Sequence, residues 1–102
     1  MERRLSLHNL LKEVMDDSDN VYFQPPENVS IEYPCIVYGV TRIDPKHADN
    51  KPYTMRTGYT IMHIDRDPES EVPGKIAQMR LCRFDRAYTK DNLNHNVFTL
   101  YY

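Results

Sequence analysis

The sequence predicts an α+β domain, a mostly antiparallel sheet of about four to five strands with two helices packed on one face. Three observations predict it. Residues 33–44 and 53–65 are dense in Val, Ile, Thr and Tyr, the side chains that suit a pleated, half-buried surface. Leu7, Leu10, Leu11 and Val14 form the stripe of an amphipathic helix. Val72, Ile76 and Met79 form a second such stripe. The predicted order is α-β-β-β-α-β-β in a single domain over residues 1–102.

The first helix runs through residues 5–15 and meets Asp16-Asp-Ser-Asp-Asn20, a cluster of turn formers. Those aspartates oppose the negative end of the helix dipole, so the helix is expected to fray by Asp17. Val21-Tyr-Phe-Gln24 is a short strand ended by Pro25-Pro26, which cannot donate to a ladder, and the prolines mark an edge strand or a strand end. The two long strands enclose a polar segment, residues 45–52, read as the loop of a long central hairpin. A strand over residues 53–65 reaches ~40 Å, well beyond the usual five or six residues. Gly39 and Gly58 lie within these strands, where two readings stand: they face each other and bend the hairpin, or they simply accommodate packing.

Ser70 is the expected N-cap of the second helix, with Glu71 in its first turn and Pro73 tolerated there. Residues 81–88 then alternate, with Cys82, Phe84 and Arg86 on one side and Leu81, Arg83 and Asp85 on the other. Residues 89–94 are read as a turn region. A closing strand over residues 96–102 ends on Tyr101-Tyr102, and its edge is expected to be open to pairing.

Composition excludes several function classes. Net charge is −2, pI is near 6.0 and mean hydropathy is −0.70. Arg80, Arg83 and Arg86 alternate with acids such as Asp85, so no basic patch for nucleic acid is expected. Eight Tyr against no Trp and three Phe suit surfaces that are wet alone and buried in a complex, though cross-strand pairing explains Tyr as well. Cys35 and Cys82 lack metal or redox spacing and are expected as free thiols in a reducing compartment. Neither a secretory leader nor a membrane span is expected, so the chain is read as soluble and made in a cytoplasm.

Candidate chemistry is sparse. His63, Asp65 and Asp67 share a face if the strand continues, and one His with two carboxylates suits a divalent ion such as Mn²⁺. The competing reading is a strand running into a turn at Asp67-Pro68. Pro34-Cys35 lacks the rest of a zinc-deaminase signature. Three glycines, Gly39, Gly58 and Gly74, are too few for phosphate loops or nucleophile elbows. His8, His47 and His95 have no partner at a recognisable spacing. Tyr59 with Arg56 offers a weak stacking platform for single-stranded nucleic acid. The expectation is therefore no enzyme, no catalytic residue, no cofactor and no metal.

The phrases Val21-Tyr-Phe-Gln-Pro-Pro26, Tyr33-Pro-Cys-Ile-Val-Tyr38, Ala48-Asp-Asn-Lys-Pro-Tyr53 and Leu81-Cys-Arg-Phe-Asp-Arg86 run through essentially the whole chain. In them it resembles the tail terminator, or tail completion, proteins of long-tailed, non-contractile phages and prophages. The resemblance implies a two-helix α+β protomer in a hexameric ring on the tail tube. The ring would end tube growth and join tail to head, at the head-tail junction of a virion assembled in the host cytoplasm. Implied partners are further copies of the chain, the major tail tube protein and the head-tail connector or stopper protein. DNA would pass through the ring without sequence-specific binding, and no membrane is involved. Interface candidates are Asp44, His47, Asp49, Asn50, Lys51, Tyr53 and Arg56 on the hairpin, with Tyr101 and Tyr102 at the closing strand. Competing readings are a head-side connector of the same junction, a small metal-dependent enzyme using His63, Asp65 and Asp67, and a module that adds a peptide to a sheet edge.

Overall fold

A computed structural model of the chain describes the backbone of residues 2–48 and 51–102 and the side chains of residues 3–41 and 57–102. Its elements are α1 (Glu2–Val14), β1 (Val21–Phe23), β2 (Cys35–Ala48), β3 (Lys51–Asp65), α2 (Val72–Ala77), β4 (Cys82–Lys90) and β5 (Leu93–Tyr101). The class is α+β and the order of elements is the expected one. The strands form one five-stranded sheet in the order β1-β2-β3-β5-β4. It is mixed: β1 runs parallel to β2, and every other pair is antiparallel.

The end of α1 has a different cause from the one the sequence suggested. Asp16 N–H donates to Glu13 C=O (3.1 Å) and Asp17 N–H to Lys12 C=O (2.8 Å), with both aspartates in the left-handed region. This is the paired bonding of a Schellman cap, with Asp, which tolerates that region, in the place glycine usually takes. The aspartates close the helix by satisfying its last carbonyls. Lys12 reaches back to Asp19 at 3.1 Å.

α1 and α2 cover one face of the sheet. Leu7 and Leu11 of α1 and Ile76 of α2 are fully buried against Ile36, Tyr38, Ile61, Phe98 and Leu100. Each such side chain contributes about 1.5–3 kcal/mol of burial. Leu10, Val14, Val72 and Met79, the other stripe positions, are only half-buried. α2 starts one residue later than expected. Glu71 is its N-cap without a side-chain bond, and Ser70 Oγ instead accepts Val72 N–H at 3.2 Å.

The hairpin is more continuous than the sequence suggested. β2 and β3 pair from Cys35↔Ile64 to Ala48↔Lys51, so most of the expected loop at residues 45–52 is strand, and positions 49 and 50 lie outside the described residues. Pro45 and Pro52 fall where β2 and β3 have no further strand beside them among the described residues, and edge strands are where proline is found in sheets. β1 meets β2 only at residues 36–38, and β5 meets β3 only at residues 58–65. Beyond them the ribbon continues alone, and the molecule measures 50 × 25 × 23 Å.

Three further expectations are corrected. Gly39 pairs with Thr60 and Gly58 with Arg42, so the glycines do not face each other; the irregularity is an extra residue, Thr41, between Val40 and Arg42. At Gly39 the other reading holds, accommodation of packing: it makes room for Gln24, whose Cγ lies 2.9 Å from where a Cβ would stand. That side chain accepts Val40 N–H through Oε1 (2.9 Å) and prolongs the short β1 ladder by one step. Residues 89–94 are not a broad turn: a two-residue turn at Asp91 and Asn92, both at positive φ, joins β4 to β5, as type I′ hairpin geometry requires. Finally, the pairing steps from Phe84↔Phe98 to Arg86↔Val97, so Asp85 is bulged and Arg86 lies on the face opposite Phe84.

Candidate functional site

The sequence-derived interface residues separate into two groups. Along the hairpin backbone Asp44 lies opposite Arg56, His47 opposite Pro52 and Lys51 opposite Ala48. Tyr53 falls at a second irregularity, between the pairs Lys46↔Thr54 and His47↔Pro52. Asp49 and Asn50 lie outside the described residues, as do the side chains of residues 42–56. The ribbon therefore holds Asp44, His47, Lys51, Tyr53 and Arg56 on one extension of the sheet.

Tyr101 and Tyr102 belong elsewhere, and the expected open edge is not there. β5 lies between β3 and β4, with Tyr101 N–H donating to Leu81 C=O and Tyr102 N–H to Thr57 C=O, each at 3.1 Å. Tyr102 packs on the core, and its hydroxyl meets Ser6 Oγ at 2.6 Å, tying the end of β5 to α1. Neither is a strand-edge residue. The free edges of the sheet are β1 and β4.

Tyrosines expected at surfaces also serve the interior. Tyr38 and Tyr59 are buried, 6.1 Å apart between ring centroids, and His8 Nδ1 meets the Tyr38 hydroxyl at 2.7 Å. Burial raises the Tyr38 pKa and lowers that of His8, the latter aided by the Arg4 and Lys12 charges. Tyr59 in the core is not a stacking platform.

β4 differs from every other strand. All its residues except Cys82 are exposed. Leu81, Phe84 and Tyr88 are 47%, 52% and 37% exposed. Phe84 meets Phe98 edge-on at 5.5 Å, and Tyr88 stacks flat on His95 at 4.6 Å. Asp85 accepts from Thr99 Oγ1 (2.5 Å) and Arg83 Nε (2.9 Å), and these bonds hold its carboxyl below the usual range, the Thr99 bond foremost. The arginines that alternate with acids in sequence thus stand along one open edge.

The metal candidate does not assemble. β3 ends at Asp65, so Asp67 leaves the strand. Asp65 Oδ1 accepts Asp67 N–H and Asp67 Oδ1 accepts Glu69 N–H, both at 2.9 Å, which are turn-forming bonds. Asp65 Oδ2 lies 3.7 Å from Nε2 of His63. His63 is fully buried and neither ring nitrogen has a hydrogen-bond partner. Burial lowers its pKa against the opposing pull of Asp65. Among the described residues no three His, Cys, Asp or Glu side chains cluster at metal-binding distances.

A cleft of about 370 Å³ opens between the β3–α2 connection and the β4–β5 hairpin. Its polar groups already hold the local backbone: Asn94 Nδ2 donates to Asp65 and Arg66 C=O, and Thr89 Oγ1 to Asn94. Cys35 is buried on the sheet face away from the helices, and burial with the Asp65 charge pushes its thiol up to about 12. Cys82 is half-buried and also raised by burial, with Asp85 adding to it, so both are free thiols held protonated.

No helix among the described residues is long and apolar enough to cross a membrane. No protein-family model and no curated protein matches the chain.

Proposed function

We propose that the protein is a structural component of a phage tail, a terminator that forms a ring of six on the tail tube, ends tube growth and joins the tail to the head. The resemblance of four sequence phrases spread over the chain motivates this reading. The observation that carries it is the two-stranded ribbon extending past the body of the sheet. A ribbon of β2 and β3 without flanking strands among the described residues presents open backbone edges on both sides, a geometry suited to insertion into a neighbouring assembly. Its tip carries charges of both signs and Tyr53, groups that are easily solvated alone and able to anchor a contact. In this role the ribbon meets the tail tube protein.

The test is tail assembly with the ribbon altered. The triple variant Asp49→Lys, Lys51→Glu, Tyr53→Ala is expected to fold as the parent does yet to lose tube capping and production of joined particles. Parent-level yields of joined, infectious particles from this variant would remove the ribbon from the contact. A parent chain that binds a head connector but leaves tube length unregulated would assign it to the head side of the junction.

A further inference from the structure

We propose that the basic β4 edge of one chain docks against the acidic β1 edge of a second copy, so that copies join head to tail across the width of the sheet. This names the subunit contact within the ring reading above and builds on it.

The first argument is charge. Residues 16–32, which contain β1 and its flanks, carry Asp16, Asp17, Asp19, Glu27 and Glu32 and no Lys or Arg. Residues 80–90, which contain β4, carry Arg80, Arg83, Arg86 and Lys90 against one acid, Asp85. The strand order sets these segments at opposite edges, four strand spacings or roughly 19 Å apart. Glu32 is held at the β1 edge, where its N–H donates to the Tyr22 hydroxyl at 3.3 Å. At the β1 edge Lys12 pairs with Asp19, and Arg4 and Arg66 lie over the Phe23 and Tyr33 rings; at the β4 edge Asp85 pairs with Arg83 and Asp91 follows Lys90, so the contrast is reduced but each edge keeps its sign. A chain with net charge of only −2 thus has one acidic and one basic rim.

The second argument is apolar exposure. Leu81 and Phe84 are exposed at the β4 edge; Val29, in the β1–β2 connection, and Val40, where β1 stops covering β2, are exposed at the other. Each rim therefore offers apolar contact beside its charges. The β4 backbone has no strand outside it among the described residues, so it is open to pairing.

The charges also decide the symmetry. A two-fold contact would set β4 against β4, or β1 against β1, and oppose like charges at close range. Only unlike edges attract, which makes the contact heterologous and able to close into a ring.

A charge swap tests this. One variant, Arg86→Glu with Lys90→Glu, makes both rims acidic; the other, Glu27→Lys with Glu32→Lys, removes most of the negative charge of the β1 rim and leaves the β4 rim basic. Sedimentation of the parent chain should show concentration-dependent association that weakens between roughly 0.05 and 0.5 M salt. Each variant alone should associate at least about tenfold more weakly, and the equimolar mixture should recover association. Thermal melting confirms that each variant is folded, and the single changes Lys90→Glu and Glu27→Lys repeat the experiment if a double variant melts early. A parent that stays monomeric, a Glu27→Lys, Glu32→Lys variant that associates as the parent does, or a mixture that gains nothing overturns the proposal. Self-association that follows the swap without tube capping leaves the edge contact standing and removes the tail role. Tube capping by chains indifferent to the swap does the reverse.

Discussion

The two edges of this sheet are built in opposite ways. At the β1 edge a three-residue strand is secured from several sides: Val21 is buried beneath α1, Arg4 lies 4.5 Å over the Phe23 ring, and Gln24 completes the ladder above Gly39. At the β4 edge a nine-residue strand has β5 as its one strand neighbour among the described residues, with Phe84 and Tyr88 in the open. A strand so exposed contributes little burial to its own chain, and its length is explained better by what it presents outward. The difference teaches that strand length and stabilising role are separable: the shortest strand is integrated into the core, and a much longer one is not.

The sharpest way to break this contrast is from beneath the β1 edge. Leu11→Ala empties a fully buried position and should cost about 2–5 kcal/mol. Chemical denaturation checks it; an unchanged midpoint would contradict the packing of α1 on the sheet.

Acidification tests the strand that both edges share. His63 of β3 lies between Ile36 and Asn96, and burial holds its folded pKa below the ordinary histidine value of about 6.5. The unfolded chain therefore takes up the proton first, so stability is fully present above pH 6.5 and falls as the pH drops from there toward the folded value. His8 is shifted in the same direction and adds to the loss. His63→Leu removes two unpartnered buried nitrogens and should flatten the pH dependence of the melting temperature, leaving the share due to His8. An equally steep dependence in that variant would place the cause elsewhere.

At the open edge Phe84→Ala should cost only about 1 kcal/mol, the scale of its edge-on contact with Phe98. The same change should weaken self-association clearly, a pairing of effects that Leu11→Ala would not reproduce. The smallest effect belongs to Gly39→Ala. It displaces the Gln24 side chain and its bond to Val40 N–H, but it also restricts the unfolded chain, so the net change should be about 1 kcal/mol or less. Amide hydrogen exchange at Val40 should nevertheless rise, since that N–H loses its acceptor.

Much of the fold was legible because it depends on local pattern. The stripe from Leu7 to Val14, the β-rich runs on either side of residues 45–52, and Pro25-Pro26 after Val21-Tyr-Phe-Gln24 each report a period or a missing donor that acts within a few residues. By itself the sequence determined the class and the order of elements, and it narrowed the prolines after β1 to an edge strand or a strand end. Local pattern misled where nonlocal pairing supplied the reason. Pro45 and Pro52 signal a loop until the ribbon offers them open sides, and Arg86 alternates with Phe84 until the Asp85 bulge turns it over. The tertiary structure alone decided that β5 is inserted between β3 and β4, which removes Tyr101 and Tyr102 from any edge and leaves β4 outside. It also separated an acidic rim from a basic one in a chain whose charges look interspersed. Strand order joins residues far apart in sequence through backbone bonds that carry no side-chain signature, so no spacing along the chain encodes it.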